Sequence, residues 1–157
     1  PWIGRRAGGP ARRHHRRRPP SVTETFGRSA VELALADTSV FIAAEQERPL
    51  SHRPPQRVAV SIITVGELRL GVLAAKTGDV RARRLETLSQ VQRLDPLPID
   101  EQVAHSWATL RLALRDQGKR MPINDSWIAA TAMANRIPVA SQDGDYDDVL
   151  GLTVIRV

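Results

Sequence analysis

Between Pro122 and Val149 the chain reads PINDSWIAATAMANRIPVASQDGDYDDV, and this stretch narrows the choice of fold more than any other. An apolar run opened by Asn124-Asp125-Ser126 has helical spacing, a short strand from Ile137 to Ala140 follows, and an acidic loop starts at Asp143. That order sets one carboxylate, Asp125, at a helix N-terminus and another, Asp143, just past the end of a strand.

The preceding chain repeats the alternation. Glu32 to Ala36 (ELALA) is apolar enough for a first buried strand, ending at Asp37. Thr38-Ser39 can then cap a short helix, Val40 to Ala44, before a Pro-rich loop ending near Pro55. Arg57 to Val60 is a short strand or the lead-in to a helix over Ser61 to Ala75. A further helix spans Val80 to Leu94, with Val80, Leu85, Leu88 and Val91 between exposed arginines. The two prolines of Asp95 to Ile99 allow only an edge-like strand. Asp100 to Gln117 is the longest helix; Val103, Trp107, Leu110 and Leu114 share a face and Gly118 stops it. Leu152 to Val157 closes the chain as a strand. Strands alternating with helices predict a three-layer α/β/α domain over residues 31–157, with a short, mostly parallel central sheet.

Charge is unevenly spread. The first 20 residues hold seven Arg and no acid; of 23 basic and 17 acidic residues in all, 16 basic residues then remain to face the 17 acidic ones. The net charge of +6 therefore belongs to the N-terminal stretch, and residues 1–30, rich in Arg, Pro and Gly, are expected to be a disordered extension outside the working domain rather than an electrostatic arm for nucleic acid. With no Cys, disulfides, thiolate zinc sites and Cys nucleophiles are excluded. No apolar run approaches the ~18 residues of a membrane span, so a soluble, cytoplasmic protein without a membrane partner is expected.

In an open parallel sheet, ligands bind beyond the carboxyl ends of the strands. Asp37 directly follows the first strand, Asp143 follows the strand Ile137 to Ala140, and Asp125 begins a helix beside them. Glu67 lies inside a helix, one residue before the core-facing Leu68. Four acids brought to one edge suit Mg²⁺ or Mn²⁺, hard cations that prefer carboxylate and water oxygens and that promote displacement at phosphate. Without metal their mutual repulsion raises some of the pKa values. Each acid also has a plainer reading. Asp37 and Asp125 can be N-caps, Glu67 a solvated residue paired with Arg, and Asp143, Asp145, Asp147 and Asp148 a polar turn around Gly144. A calcium loop on the spacing of Asp143, Asp145 and Asp147 fails, because its sixth and twelfth positions are Asp148 and Val154 instead of Gly and Glu.

Other chemistries lack their residues. His52 and His105 have no ligand spacing, and His105 is expected to be structural. No nucleophile elbow, P-loop or dinucleotide fingerprint occurs. Trp107 and Trp127 are expected in the core. An aspartyl-phosphatase motif is broken at Ser39.

Four segments, LADTSVFI (35–42), SIITVGELRLGV (61–72), INDSWIAATA (123–132) and VASQDGDY (139–146), resemble the PIN-domain proteins, more narrowly the VapC-type toxins of bacterial toxin–antitoxin pairs. The resemblance runs from about Ala34 to Val157. It implies a Mg²⁺-dependent endoribonuclease, with Mn²⁺ able to substitute, that cleaves structured RNA such as tRNA or rRNA. The family's four acids map onto Asp37, Glu67, Asp125 and Asp143; Thr38 and Asn124 match supporting residues, Ser141 a hydroxyl that orients water or metal, Asp145 a less constant acid and Tyr146 an aromatic. It implies a homodimer and a cognate antitoxin that occludes the site. Arg69, Arg111, Arg115, Lys119 and Arg120 are candidates for phosphate contacts or for a solvated helix face. Rival readings are a non-catalytic RNA- or partner-binding module on the same fold and a structure-specific DNA nuclease.

Overall fold

The computed structural model describes residues 32–49, 52, 55–147 and 149–157. The expectation of disorder for residues 1–30 lies outside them. Four strands and five helices follow in the order β1 (Leu33–Ala36), α1 (Thr38–Glu45), β2 (Arg57–Ala59), α2 (Ile62–Leu73), α3 (Gly78–Gln92), α4 (Glu101–Asp116), α5 (Ile123–Asn135), β3 (Val139–Ser141) and β4 (Val154–Arg156).

The sheet is parallel throughout, in the order β2-β1-β3-β4. From β1 the chain crosses to β2 on one side, and β3 lies on the other. The strand order thus reverses between β1 and β3, the point at which open α/β sheets hold their ligands. Side-chain alternation sorts the two faces. Leu35 and Val139 point into a core with Leu110, Leu114, Ile128 and Tyr146, covered by α4 and α5. Ala34 and Ala140 point the other way, towards Val40 of α1 and Val157. Burial on both faces explains why β1 is apolar without alternation. The expected three layers are therefore present.

A second cluster joins α2 and α3 through Val65, Leu68, Leu88 and Val91, with Phe41 of α1 against it. In α5, Ala129, Ala130 and Ala132 are fully buried, and their small side chains let the helix lie close to the sheet. Ile128, fully buried beside them, contributes about 2–3 kcal/mol by leaving water.

Several local expectations are corrected. Asp95 to Ile99 forms no strand; Leu97 makes one parallel bridge with Ser61, its amide donating to Val60 O at 2.8 Å, and its prolines prevent a longer ladder. Helix α1 starts at Thr38 and is capped by Asp37, not by Thr38-Ser39. Leu85, expected on the core side of α3, is exposed, as is His105 on α4. No helix among the described residues is long and apolar enough to cross a membrane.

Candidate active site

Strand β1 hands the chain directly to the site. The Asp37 amide still donates to Ala140 O of β3 at 2.9 Å, so Asp37 is fixed where β1, β3 and α1 meet, only 2% exposed. It is an N-cap, taking the Ser39 amide at 3.4 Å, but capping is the lesser part of its environment. Tyr146 Oη donates to Oδ1 at 3.0 Å, while Ser39 Oγ and Ser141 Oγ donate to Oδ2 at 2.8 and 3.0 Å. Three hydroxyl donors offset the cost of burying a carboxylate. Burial, followed by the charge of Asp37, pushes the Tyr146 phenol far up, so it stays protonated and donating.

Ser141, the last residue of β3, is fully buried. Besides donating to Asp37, it accepts the Asp143 amide at 3.0 Å. It orients two acids instead of facing solvent. The Ser39 hydroxyl does similar work by accepting the Gln142 amide at 3.1 Å.

Glu67 comes from α2 and is held by two helices. Thr38 Oγ1 of α1 donates to its Oε2 at 2.5 Å, and Asn124 Nδ2 of α5 donates to its Oε1 at 2.8 Å. A solvated pair with Arg is not what forms; both partners are neutral donors. Thr38 and Asn124, expected as supporting residues, converge on this one carboxylate.

Asp125 is the third residue of α5, inside its first turn; Pro122 occupies the cap position and no side chain caps the helix, so the N-cap reading of Asp125 is corrected. Its half-buried carboxyl is pushed up to about 7, first by burial, then by the charges of Asp37, Asp145 and Glu67 and a hydrogen bond with Asp145. The turn that carries it is braced from α4. Trp107 Nε1 donates to Ser126 Oγ at 2.9 Å, which donates to Ile123 O at 2.6 Å. The rings of Trp107 and Trp127 stack with centroids 4.4 Å apart. Both tryptophans are half-buried, at the edge of the core.

Asp143 and Asp145 lie exposed on the loop after β3. Desolvation at the cleft wall, then Asp37 and Asp145, raise the Asp143 carboxyl; Arg156 and Arg48 oppose the rise. Arg156, from β4, donates to Asp143 O and pairs with Asp147, tying this loop to the sheet edge.

Asp37, Glu67, Asp125 and Asp143 line one cleft of about 410 Å³, together with Thr38, Ser39, Ile42 and Arg48. The four expected acids thus come together. They do not form a closed cage: among the described residues no group of three His, Cys, Asp or Glu is gathered tightly enough to hold a metal ion as the side chains stand. The donor set fits a hard divalent cation nonetheless. All potential ligands at the cleft are oxygens, and a cation would relieve the crowding that keeps Asp125 protonated near neutrality.

Of the cations expected at phosphate, none lines this cleft. Arg111, Arg115, Lys119 and Arg120 line a separate one of about 500 Å³ beyond the end of α4, where Arg111 donates to Met121 O at 3.1 Å and Arg115 pairs with Asp116 at 3.0 Å. Arg69 borders neither. Sequence reasoning gave no role to Arg48, Arg156 or the Tyr146 hydroxyl. The aromatic after Asp145 was visible, but its bond to Asp37 spans 109 residues.

Comparison with known proteins places these observations. A family profile described as PIN domain matches residues 34–151. The chain is 48% identical over 125 residues to Ribonuclease VapC5 of Mycobacterium tuberculosis, covering 77% of this chain and 93% of that protein. It is 49% identical over 132 residues to Ribonuclease VapC4 of the same organism, covering 81% and 98%. Among solved structures it resembles a member of the VapBC family of toxin–antitoxin systems, VapBC-5 from Mycobacterium tuberculosis, with a TM-score of 0.73 and 45% identity over 80% of this chain and 99% of that one.

Proposed function

The chain belongs to the PIN-domain family, near its VapC ribonucleases, and on that premise we propose that it is a Mg²⁺-dependent endoribonuclease acting as the toxin of a toxin–antitoxin pair. The observation that carries this reading is the single cleft at the β1/β3 switch point, lined by four carboxylates from separate elements. Structured RNA such as tRNA or rRNA is the proposed substrate. A cognate antitoxin is the proposed partner, in keeping with the VapBC complex the fold resembles. The family resemblance extends the reading to a homodimer.

Asp37, Glu67, Asp125 and Asp143 would hold Mg²⁺, or Mn²⁺ in its place. Bound there, the cation supplies Lewis acidity, lowering the pKa of a water and stabilising charge on the phosphate. The chain supplies orientation and proton handling. Tyr146, Ser39 and Ser141 keep Asp37 in one rotamer, which fixes the one carboxylate around which the others would close on a cation. Glu67, gripped by Thr38 and Asn124, presents a fixed carboxylate able to take a proton from the attacking water. Asp125, with its carboxyl at about 7, gives up its proton when the site becomes more positive.

The test is incubation of purified protein with total cellular RNA, in Mg²⁺ or Mn²⁺ and in EDTA. A few discrete cuts that need the metal are expected. RNA bound but left intact by folded, antitoxin-free protein would instead point to a binding module.

A further inference from the structure

Among the described residues, Arg48 stands in the acidic cleft without a partner. Helix α1 ends in a tight reversal: Glu47 N donates to Ala44 O at 3.2 Å and Arg48 N to Ala43 O at 2.9 Å. These are the two bonds of a Schellman motif, which needs a left-handed residue between helix and exit. Glycine usually fills that position. Here it is Glu47, at φ 53°, a conformation that non-glycine residues rarely adopt. The residue after it commonly makes an apolar contact back to the helix. In this chain it is Arg48, and its side chain lines the cleft with Asp37, Glu67, Asp125 and Asp143.

The neighbouring cations are committed elsewhere. Arg156 is tied to Asp143 O and Asp147, and Arg84 donates to Gly71 O at 2.6 Å and lies 3.9 Å from Glu45. Among the described residues, Arg48 has neither a hydrogen bond nor an ion pair from its guanidinium; it acts on Asp143 only through its field. A guanidinium is a planar fork suited to phosphate oxygens. In a site lined with carboxylates, an uncommitted fork gives an anionic backbone one attractive group at the wall.

We propose that Arg48 is the substrate-phosphate clamp of this site, its guanidinium gripping non-bridging oxygens of the RNA backbone where it crosses the carboxylate cleft. The proposal rests on the ribonuclease reading above.

Arg48→Leu and Arg48→Lys separate the clamp from a structural role. Leucine retains the backbone motif and can supply the apolar contact that usually accompanies it, so the melting temperature should hold or rise. Cleavage of pooled tRNA and rRNA should fall at least about tenfold in kcat/KM for Arg48→Leu, with Arg48→Lys between it and wild type because lysine keeps charge but loses the fork. A second readout does not depend on turnover. In the Asp37→Asn background, binding of a labelled mixed-sequence RNA oligonucleotide should lose about 0.7–1 from the slope of log K against log salt when Arg48 becomes Leu. Wild-type kcat/KM and an unchanged salt slope in Arg48→Leu would overturn the clamp while leaving the ribonuclease in place. A melting temperature that falls in step with activity would assign Arg48 to the fold. Wild-type protein that cuts no RNA would overturn both readings together.

Discussion

Asp37→Asn is expected to abolish RNA cleavage, by at least about 10³-fold in kcat, while leaving the fold intact. Two properties of the site separate these effects. Asparagine caps a helix as well as aspartate does, so α1 keeps the Ser39 amide bond now made to Asp37. The surrounding donors are hydroxyls of Tyr146, Ser39 and Ser141, and hydroxyls can turn from donating to accepting when an amide NH₂ replaces a carboxylate oxygen. What is lost is the negative charge that β1 and β3 place at the centre of the cleft. A thermal melt beside a cleavage assay checks both halves. Residual activity within tenfold of wild type would remove Asp37 from the chemistry.

Asp125→Asn is expected to lose activity by a comparable factor and to gain stability in metal-free buffer. Its carboxyl, ordinarily near 3.8, stands at about 7 in the folded protein because of burial and the charges of Asp37, Asp145 and Glu67. Between those two values the folded state binds the proton more tightly than the unfolded chain, so the slope of stability against pH is negative there. The contribution is fully present below the ordinary carboxylate pKa and is lost as pH rises through about 7. Wild type in EDTA should accordingly melt higher at pH 5 than at pH 8 from this group's contribution. Asparagine cannot ionise, so the variant should lack that share of the slope and at pH 8 melt above wild type by roughly 2–4 °C. Added Mg²⁺ should raise the wild-type melting temperature more than the variant's. Identical pH dependence in the two proteins would show that Asp125 carries no such repulsion. A functional residue that weakens the empty fold follows the usual trade between activity and stability.

Legibility in the sequence followed how local each signal was. Asp37 and Asp143 were readable because an apolar strand ends just before each, and the ends of parallel strands are where ligands bind. Asp125 was readable as an acid at a helix start, and its neighbour as a supporting residue through the resemblance, but not the carboxylate that neighbour holds: Asn124 reaches Glu67 across 57 residues. Glu67 itself lies mid-helix beside the core-facing Leu68, a weaker local signal that the resemblance reinforced. Helix periodicity found α4 and its Trp107 face but misjudged Leu85, since α3 is covered on a narrower stripe than its apolar residues span. The sequence could not show Arg48 turning back into the cleft, because that depends on a left-handed Glu47, a residue type that rarely takes that conformation. Nor could it show that Arg111 and Arg115 of α4, with Lys119 and Arg120 beyond it, line a cleft of their own.

The most direct test of the central claim, that this cleft delivers water to an RNA phosphate, is to map the ends left by wild-type protein on total RNA in Mg²⁺. In-line attack by water leaves a 5′-phosphate and a 3′-hydroxyl, and those ends are expected at each cut. A 2′,3′-cyclic phosphate would mean that the ribose 2′-hydroxyl is the nucleophile, and would contradict a mechanism built on Asp37, Glu67, Asp125 and Asp143.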